Sequence, residues 1–199
     1  MSRPKAEQKQ KTHGTIVDSA ARLLRKHGIA GASVADVMKG AGLTVGGFYA
    51  HFASKEKLIN AALRRTAASM RERLFDKIED KPEADRSEVI LKRYLSAALR
   101  DAPDGGCPLP AIVGEIGTSG DAHAEPLAVE VDLIARELER HVAPSEKITR
   151  RHLALGVFAL MYGGLALSRA TRGTELADEI LRACRAVGKL ALRHDKESV

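Results

Sequence analysis

The residue of this sequence with the clearest chemical potential is a cysteine. Cys107 precedes Pro108 at a predicted helix N-terminus, where the positive end of the helix dipole favours a thiolate. Such a thiol could sense oxidants or electrophiles, whereas a buried one would be inert. The sequence places no histidine near it and contains no nucleophile elbow or phosphate loop. It therefore does not predict an enzyme.

The other residues with metal or redox chemistry are scattered. The seven histidines, at positions 13, 27, 51, 123, 141, 152 and 194, form no His-x-x-x-His pair, and no Cys-x-x-Cys exists. We expect no metal and no cofactor. Two cysteines in 199 residues suit a reducing cytoplasm. The basic start has no apolar stretch behind it, and the longest nearly apolar run, 153–167, is shorter than the ~20 residues of a membrane span. The sequence predicts a cytoplasmic protein with no membrane partner.

The charge is divided unevenly along the chain. Residues 1–75 hold 14 Lys and Arg against 5 Asp and Glu, a balance of +9. Residues 76–199 hold 18 against 21, a balance of −3, and the two sum to the net +6. A basic segment joined to a mildly acidic remainder suggests that one part meets a polyanion. A solvated basic surface is the alternative.

Helical periodicity dominates the elements that must position these residues. A helix that ends at Gly28 is predicted to have one face formed by Ile16, Ala20, Leu23, Leu24 and His27. Two further helices are predicted at about 86–100 and 122–141. The remaining predicted helices begin at Ser33, Thr44, Ser54, Pro108, Pro144-Ser145 and Thr174. We therefore predict an all-α fold with about nine helices.

Two of the short helices are separated by Ala41-Gly42-Leu43, which matches the dimensions of a helix-turn-helix. The segment that begins in this turn has a more specific pattern: residues 42–58 read GLTVGGFYAHFASKEKL. It resembles the TetR/AcrR family of bacterial repressors through its pattern Tyr-x-His-Phe-x-Ser-Lys-Glu-x-Leu. The resemblance covers about residues 12–60. A second fragment, Gly-Cys-Pro-Leu at 106–109 with Glu115 following, is similar to an element of one branch of that family.

The resemblance implies that two segments of the chain have different functions. Residues 1–53 would form an N-terminal arm and a three-helix helix-turn-helix domain that binds DNA. Residues 54–199 would form a helical ligand-sensing and dimerisation bundle, with helix 54–77 as the connector. The implied partners are an operator in double-stranded DNA, a second copy of the chain and an unknown small-molecule inducer.

The residues expected to contact DNA are Arg3, Lys5, Ser33, Thr44, Val45, Gly46, Gly47, Tyr49, His51 and Lys55. Ser33 and Thr44 can offer hydroxyls and helix N-terminal amides to phosphates. Tyr49, His51 and Lys55 are carried over from the family as phosphate contacts. The alternative for Tyr49 and His51 is that they only pack or cap.

The sequence departs from the family where base edges are read. The family often has a polar side chain at position 45 and Ser or Thr at position 47, where this chain has Val45 and Gly47. Val45 can contact a thymine methyl, but few groups remain for base hydrogen bonds. More selectivity would then fall to DNA shape and to Arg3, Lys5 and Lys9 of the arm. A solubilising tail is the alternative for the arm.

The remaining chain is predicted to sense a signal and to dimerise. The last two helices, about residues 145–194, would form the dimer interface, or else serve only as core helices of one chain. Residues expected in ligand or redox sensing are Cys107, Tyr94, Ile112, Glu115, Ile116 and Phe158. Further apolar candidates for the pocket wall are Met70, Leu74, Leu95, Leu99 and Val113, which could equally be simple core.

Together these patterns predict a ligand-responsive transcriptional repressor. It would bind a palindromic operator as a dimer and leave it when a small molecule binds or a cysteine is modified. The alternative is an architectural or DNA-occluding protein without an inducer. Whether a small molecule lowers DNA affinity separates the two.

Overall fold

The computed structural model describes residues 3–102, 106–119, 121–142 and 146–192, and this part of the chain contains only helices and their connections. The prediction of an all-α fold is confirmed. The nine α-helices are α1 Arg3–His27, α2 Val34–Gly40, α3 Lys55–Phe75, α4 Glu83–Tyr94, α5 Ala97–Asp101, α6 Leu109–Ser119, α7 Ala124–Glu139, α8 Arg150–Ala170 and α9 Glu175–Leu192. Two 3-10 helices, Val45–Ala50 and Asp121–His123, complete the described elements.

Three predicted helix boundaries are wrong. The helix expected over 86–100 is two helices, because Ser96 leaves helical geometry and its hydroxyl accepts the Leu99 amide to begin α5. The helix expected from Ala122 begins as a 3-10 turn at Asp121–His123. The long helix begins at Arg150, where the Thr149 hydroxyl accepts the His152 amide at 3.1 Å. Pro144 and Ser145, the predicted start, lie outside the described residues.

The helices form two compact units. The first combines residues 1–69 with 103–128, and the second combines 70–102 with 129–199. Helix α6 thus belongs to the unit that contains α1 and α2, and it contacts α1 directly. The functional border predicted at residue 53 stays a prediction, since compactness does not test which residues bind DNA.

The first unit is built on the apolar face of α1. Ile16, Ala20 and Leu24, spaced four residues apart, are buried together with Val37 and Met38 of α2. This spacing places one residue per turn on the same side of a helix. Helix α1 ends as predicted at Gly28, which adopts φ +70°. The predicted face of α1 is therefore buried at these three residues, whereas Leu23 is half-buried and His27 is exposed.

The second unit is organised by α8 and α9, which pack along each other and against α4. Gly164 permits close approach, since a Cβ there would lie 2.6 Å from Sγ of Cys184. A Cβ on Gly188 would lie 2.8 Å from a methyl of Leu91. Among the described helices, α8 is long and apolar enough to cross a bilayer, but Val157, Met161 and other apolar side chains on it are buried within the unit. We interpret α8 as a core helix.

Candidate nucleic-acid interface

Helix α2 begins with a cap that the sequence predicted. The Ser33 hydroxyl accepts the amide of Asp36 at 3.1 Å and donates to the Asp36 carboxylate at 2.5 Å. The hydroxyl is therefore already satisfied, and a carboxylate lies where a phosphate oxygen would approach. The predicted phosphate contact of Ser33 requires this hydroxyl to turn away from Asp36.

The turn after α2 has the hydrogen bonding of a glycine C-cap. The Leu43 amide donates to the Met38 carbonyl at 2.9 Å, and the Gly42 amide donates to the Lys39 carbonyl at 3.0 Å. Gly42 adopts φ +71°, a conformation that a glycine reaches without steric cost. The turn then leads within two residues into the 3-10 helix Val45–Ala50, which we call the reading helix.

The reading helix has one buried side and one exposed side. Phe48 is 1% exposed and lies edge-on to Tyr49 and stacked with Phe52, at centroid distances of 5.1 and 5.9 Å. Val45 is 51% exposed and Tyr49 78% exposed, and both Thr44 and Gly46 are also exposed. Thr44 adopts extended backbone geometry at the helix N-terminus, and its side chain makes no capping hydrogen bond. Its hydroxyl is therefore available to an incoming acceptor.

His51 follows the reading helix and lies against a second histidine. Its ring centroid is 6.2 Å from that of His13, which stacks on Phe52 at 4.4 Å. Burial lowers the pKa of His51, and the charges of His13 and Lys9 lower it further. Its buried Nδ1 has no hydrogen-bond partner among the described residues. At neutral pH we therefore expect His51 to meet a phosphate as a neutral N–H donor.

Lys55 lies in the first turn of α3, half-buried, and its Nζ donates to the Ile29 carbonyl at 3.3 Å. The predicted phosphate contact thus comes from an ammonium that already supports the turn after α1. The expected N-terminal arm is also part of a regular element, because the chain is helical from Arg3 onward. Lys5 and Lys9 are exposed on that helix, whereas the side chain of Arg3 lies outside the described residues.

The predicted sensing residues are divided between the two units. Tyr94 and Phe158 are buried and meet edge-on at 6.4 Å in the second unit, whereas Ile112 and Ile116 are buried in the first. Glu115 was expected to line a ligand cavity. Its carboxylate instead accepts the backbone amides of Ile29 and Ala30, within the unit that carries the reading helix.

Of the two alternatives for Cys107, a reachable thiol or a buried one, the structure has the buried one. The residue is 1% exposed, because the segment before α6 is folded into the first unit. Cys184 is half-buried on α9, and burial raises the pKa of its thiol. Neither cysteine is in a disulfide. The described residues contain no group of three His, Cys, Asp or Glu that could hold a metal ion.

A cavity of about 270 Å³ lies within the second unit. The predicted residues Met70, Leu74 and Leu99 form its apolar wall. The residues that the sequence analysis missed here are Arg73, Asp76, Arg93, Ser96 and Ala98. Arg93 donates to the Leu74 carbonyl at 2.8 Å, and the Ser96 hydroxyl donates to the Arg93 carbonyl at 3.1 Å. The polar side chains of Arg93 and Ser96 could not be predicted here, because the periodicity of apolar residues indicates only which apolar residues are buried.

A short helix α2 packed through Val37 and Met38, a glycine turn and an exposed second short helix define this part of the unit as a helix-turn-helix. Sequence comparison agrees. The family described as "Bacterial regulatory proteins, tetR family" matches residues 16–62. Over 63 residues the chain is 38% identical to the HTH-type transcriptional regulator TtgR of Pseudomonas putida, a match over 32% of this chain and 30% of that relative.

Solved structures extend the likeness over nearly the whole chain. A TetR transcriptional regulator from Chloroflexus aurantiacus superposes with a TM-score of 0.77 at 25% identity, covering 92% of this chain and 95% of its own. A TetR family regulator from Cytophaga hutchinsonii gives 0.77 at 21% identity, covering 95% and 98%, which shows the fold. Residues 16–62 thus match the TetR family, and the chain shares the fold of solved TetR-family regulators over nearly its whole length.

Proposed function

We propose that this protein is a transcriptional regulator of the TetR family, a ligand-responsive repressor that binds a palindromic operator as a homodimer. The observation that carries the proposal is the two-sided reading helix. Phe48 anchors it while Thr44, Val45, Gly46 and Tyr49 present an unobstructed surface. A short helix held from behind and exposed in front is what insertion into a major groove requires. The protein would therefore work in the cytoplasm, where the chromosome of a bacterium lies.

The proposed DNA contacts are of two kinds: contacts to phosphates position the domain, and contacts to bases read the sequence. The Thr44 hydroxyl, the phenol of Tyr49, the neutral ring of His51 and the ammonium of Lys55 would bind phosphates, which fix the register of the domain on the duplex. Val45 would contact a thymine methyl. Gly46 and Gly47 have no side chains, so much of the remaining selectivity would come from the shape of the DNA.

The proposed dimer interface is formed by α8 and α9. Large apolar side chains stay exposed on these two helices: Leu167 at 59%, Leu176 at 50%, Val187 at 54% and Leu190 at 65%. Exposed apolar clusters of this kind mark association surfaces in otherwise polar proteins. A two-fold dimer would place two reading helices on half-sites about 34 Å apart, and the operator would be palindromic for the same reason.

The cavity in the second unit supports the ligand-responsive part of the proposal. An inducer that favours the non-binding form of the dimer by ~1–3 kcal/mol would lower DNA affinity about 5–150-fold. Release by cysteine modification is the less supported route, because Cys107 is buried. Equal peroxide response of the wild type and Cys107→Ser would exclude it.

Selection from a random duplex library tests the proposal. We expect the purified protein to enrich a palindrome with regularly spaced half-sites at about 50 mM salt, and to retain that preference at about 200 mM. Enrichment of no sequence, with binding lost at the higher salt, would contradict it. The architectural alternative, which rests on the basic charge of residues 1–75 alone, would then explain the binding.

A further inference from the structure

We infer that Glu115 is a positioning residue for DNA binding: its carboxylate, carried on α6, fixes the turn between α1 and α2 and thereby the orientation of the reading helix. The inference rests on the proposed function, since it assigns a role in the same binding event. Nothing in the sequence pattern pointed to it, because Glu115 lies 85 residues from the amide of Ala30.

The carboxylate of Glu115 binds two neighbouring backbone amides, an arrangement that we call the clamp. Oε1 of Glu115 accepts the Ile29 amide at 2.9 Å, and Oε2 accepts the Ala30 amide at 2.7 Å. Both distances are those of charge-assisted hydrogen bonds. Because each oxygen holds a different amide, the carboxylate fixes the direction of the turn as well as its position.

Two neighbouring features fit this clamp. A Cβ on Gly28 would lie 1.9 Å from Oε1 of Glu115, so the glycine leaves the room that the carboxylate occupies. From another side, Nζ of Lys55 donates to the Ile29 carbonyl at 3.3 Å. The turn is therefore held at its amides by an anion and at a carbonyl by a cation.

Helix electrostatics does not explain the position of this carboxylate. The C-terminal end of α1 carries the negative end of the helix dipole, which disfavours an anion. The last turn of α1 supplies Arg25, Lys26 and His27 as basic residues, and Glu115 makes two amide bonds to the backbone that follows them. The clamp thus holds a specific backbone geometry.

That geometry matters because α2 follows directly. Ser33, the cap of α2, comes three residues after Ala30, and α2 contacts both α1 and the reading helix. When the turn is less well fixed, α2 adopts additional orientations in which the reading helix cannot bind DNA correctly. The measured Kd rises by the reciprocal of the fraction of molecules in the competent orientation.

The test compares three proteins on the duplex enriched by the wild type. Glu115→Gln keeps the side-chain volume but replaces one acceptor by an NH₂ group that faces an amide. Glu72→Gln, on an exposed position of α3, removes the same charge without touching the turn. Electrostatics alone predicts tighter DNA binding for both variants, because each makes the chain more positive.

We expect Glu115→Gln to raise Kd at least fivefold with an unchanged salt slope, because no phosphate contact is lost. Glu72→Gln should bind as tightly as the wild type or tighter. Amide hydrogen exchange should be faster at Ile29 and Ala30 in Glu115→Gln, while the rest of α1 keeps its protection. Glu115→Asp, which shortens the clamp but retains both oxygens, should recover part of the affinity.

The inference is overturned if Glu115→Gln follows Glu72→Gln in affinity while the wild type enriches a specific duplex. Failure of the wild type to enrich any sequence would instead contradict the proposed function, and the role of Glu115 in it. Faster exchange at Ile29 and Ala30 without loss of affinity would reduce Glu115 to a stabilising contact. Failure of the inference is therefore measured in Glu115→Gln, and failure of the proposed function is measured in the wild type.

Discussion

Two glycine turns border α2 and share one backbone conformation, yet their surroundings are opposite. Gly28 adopts φ +70° and Gly42 adopts φ +71°. A Cβ on Gly28 would collide with Glu115 at 1.9 Å, whereas a Cβ on Gly42 would meet nothing within 4 Å. The first turn is held by another helix, and the second is held by its own hydrogen bonds.

The difference shows how one end of α2 is fixed while the other stays accessible. At the first turn, α6 and α3 supply the contacts through Glu115 and Lys55. At the second, the amides of Gly42 and Leu43 bond to carbonyls within α2, and the space beside Gly42 is open among the described residues. This open space would let a DNA backbone approach Gly42.

Replacing each glycine by alanine gives the largest expected effect. Gly42→Ala should lower the free energy of unfolding by ~1–2 kcal/mol, the cost of a left-handed backbone at a residue with a Cβ. Gly28→Ala should lower it by ~3–5 kcal/mol, because the new methyl also displaces Glu115 from two charge-assisted hydrogen bonds. Urea unfolding of the two variants measures the difference.

A Glu115→Ala background provides the control. There the methyl at position 28 meets no carboxylate, although the Ala111 carbonyl still lies 3.0 Å away. We therefore expect the cost of Gly28→Ala to fall toward that of Gly42→Ala. Equal costs in the otherwise wild-type chain would show that Glu115 moves aside freely. The contrast between the two turns would then have no energetic meaning.

Lys55 is expected to give an intermediate effect. Lys55→Ala removes a proposed phosphate contact and should weaken binding to all duplexes, lowering the slope of log K against log salt by ~1. Lys92→Ala, which removes the same charge from an exposed position on α4, should leave the slope unchanged. Fluorescence anisotropy across a salt series measures both.

Two other results would contradict the assignment of Lys55 as a phosphate contact. If Lys55→Ala lost affinity with the wild-type salt slope, its bond to the Ile29 carbonyl would account for the whole effect. If it changed base preference while leaving the slope alone, its role as a phosphate contact would be wrong.

The smallest effect is expected at His51, beside the reading helix. Its pKa in the folded chain is lowered below 6.5 by burial, His13 and Lys9, so the unfolded chain takes up a proton at higher pH. The stabilising contribution of neutral His51 is present above about 6.5 and is lost as pH falls through the folded-state pKa. His51→Gln should therefore lose less stability than the wild type between about pH 7 and pH 5. Parallel pH profiles would contradict this.

The sequence predicted the local features of this domain well. Gly28 and Ser33 were placed where α1 ends and α2 begins, because their signals depend on a few neighbouring residues. The short helix from Val45 was also expected, although it is a 3-10 helix. The exposed side chains of Thr44 and Tyr49 fit the DNA contacts that the resemblance implies, and those contacts stay a prediction.

What failed depends on tertiary contacts. Cys107 was a candidate thiol sensor because it precedes a helix N-terminus, and Glu115 was a candidate pocket residue because it interrupts an apolar stretch. The segment that carries both instead belongs to the unit of α1, which α6 contacts. Periodicity marks which face of a helix is buried and not which partner buries it. For the same reason Arg93 and Ser96 of the second-unit cavity had no sequence signal.

A repeated library selection with Val45→Ala tests most directly whether the exposed face of the reading helix selects the DNA sequence. The wild type and the variant are compared on the same random duplexes at the same salt. We predict that Val45→Ala loses a thymine preference at one position in each of the two half-sites and keeps every other preference. An unchanged base preference at all positions would contradict the assignment of sequence reading to this helix.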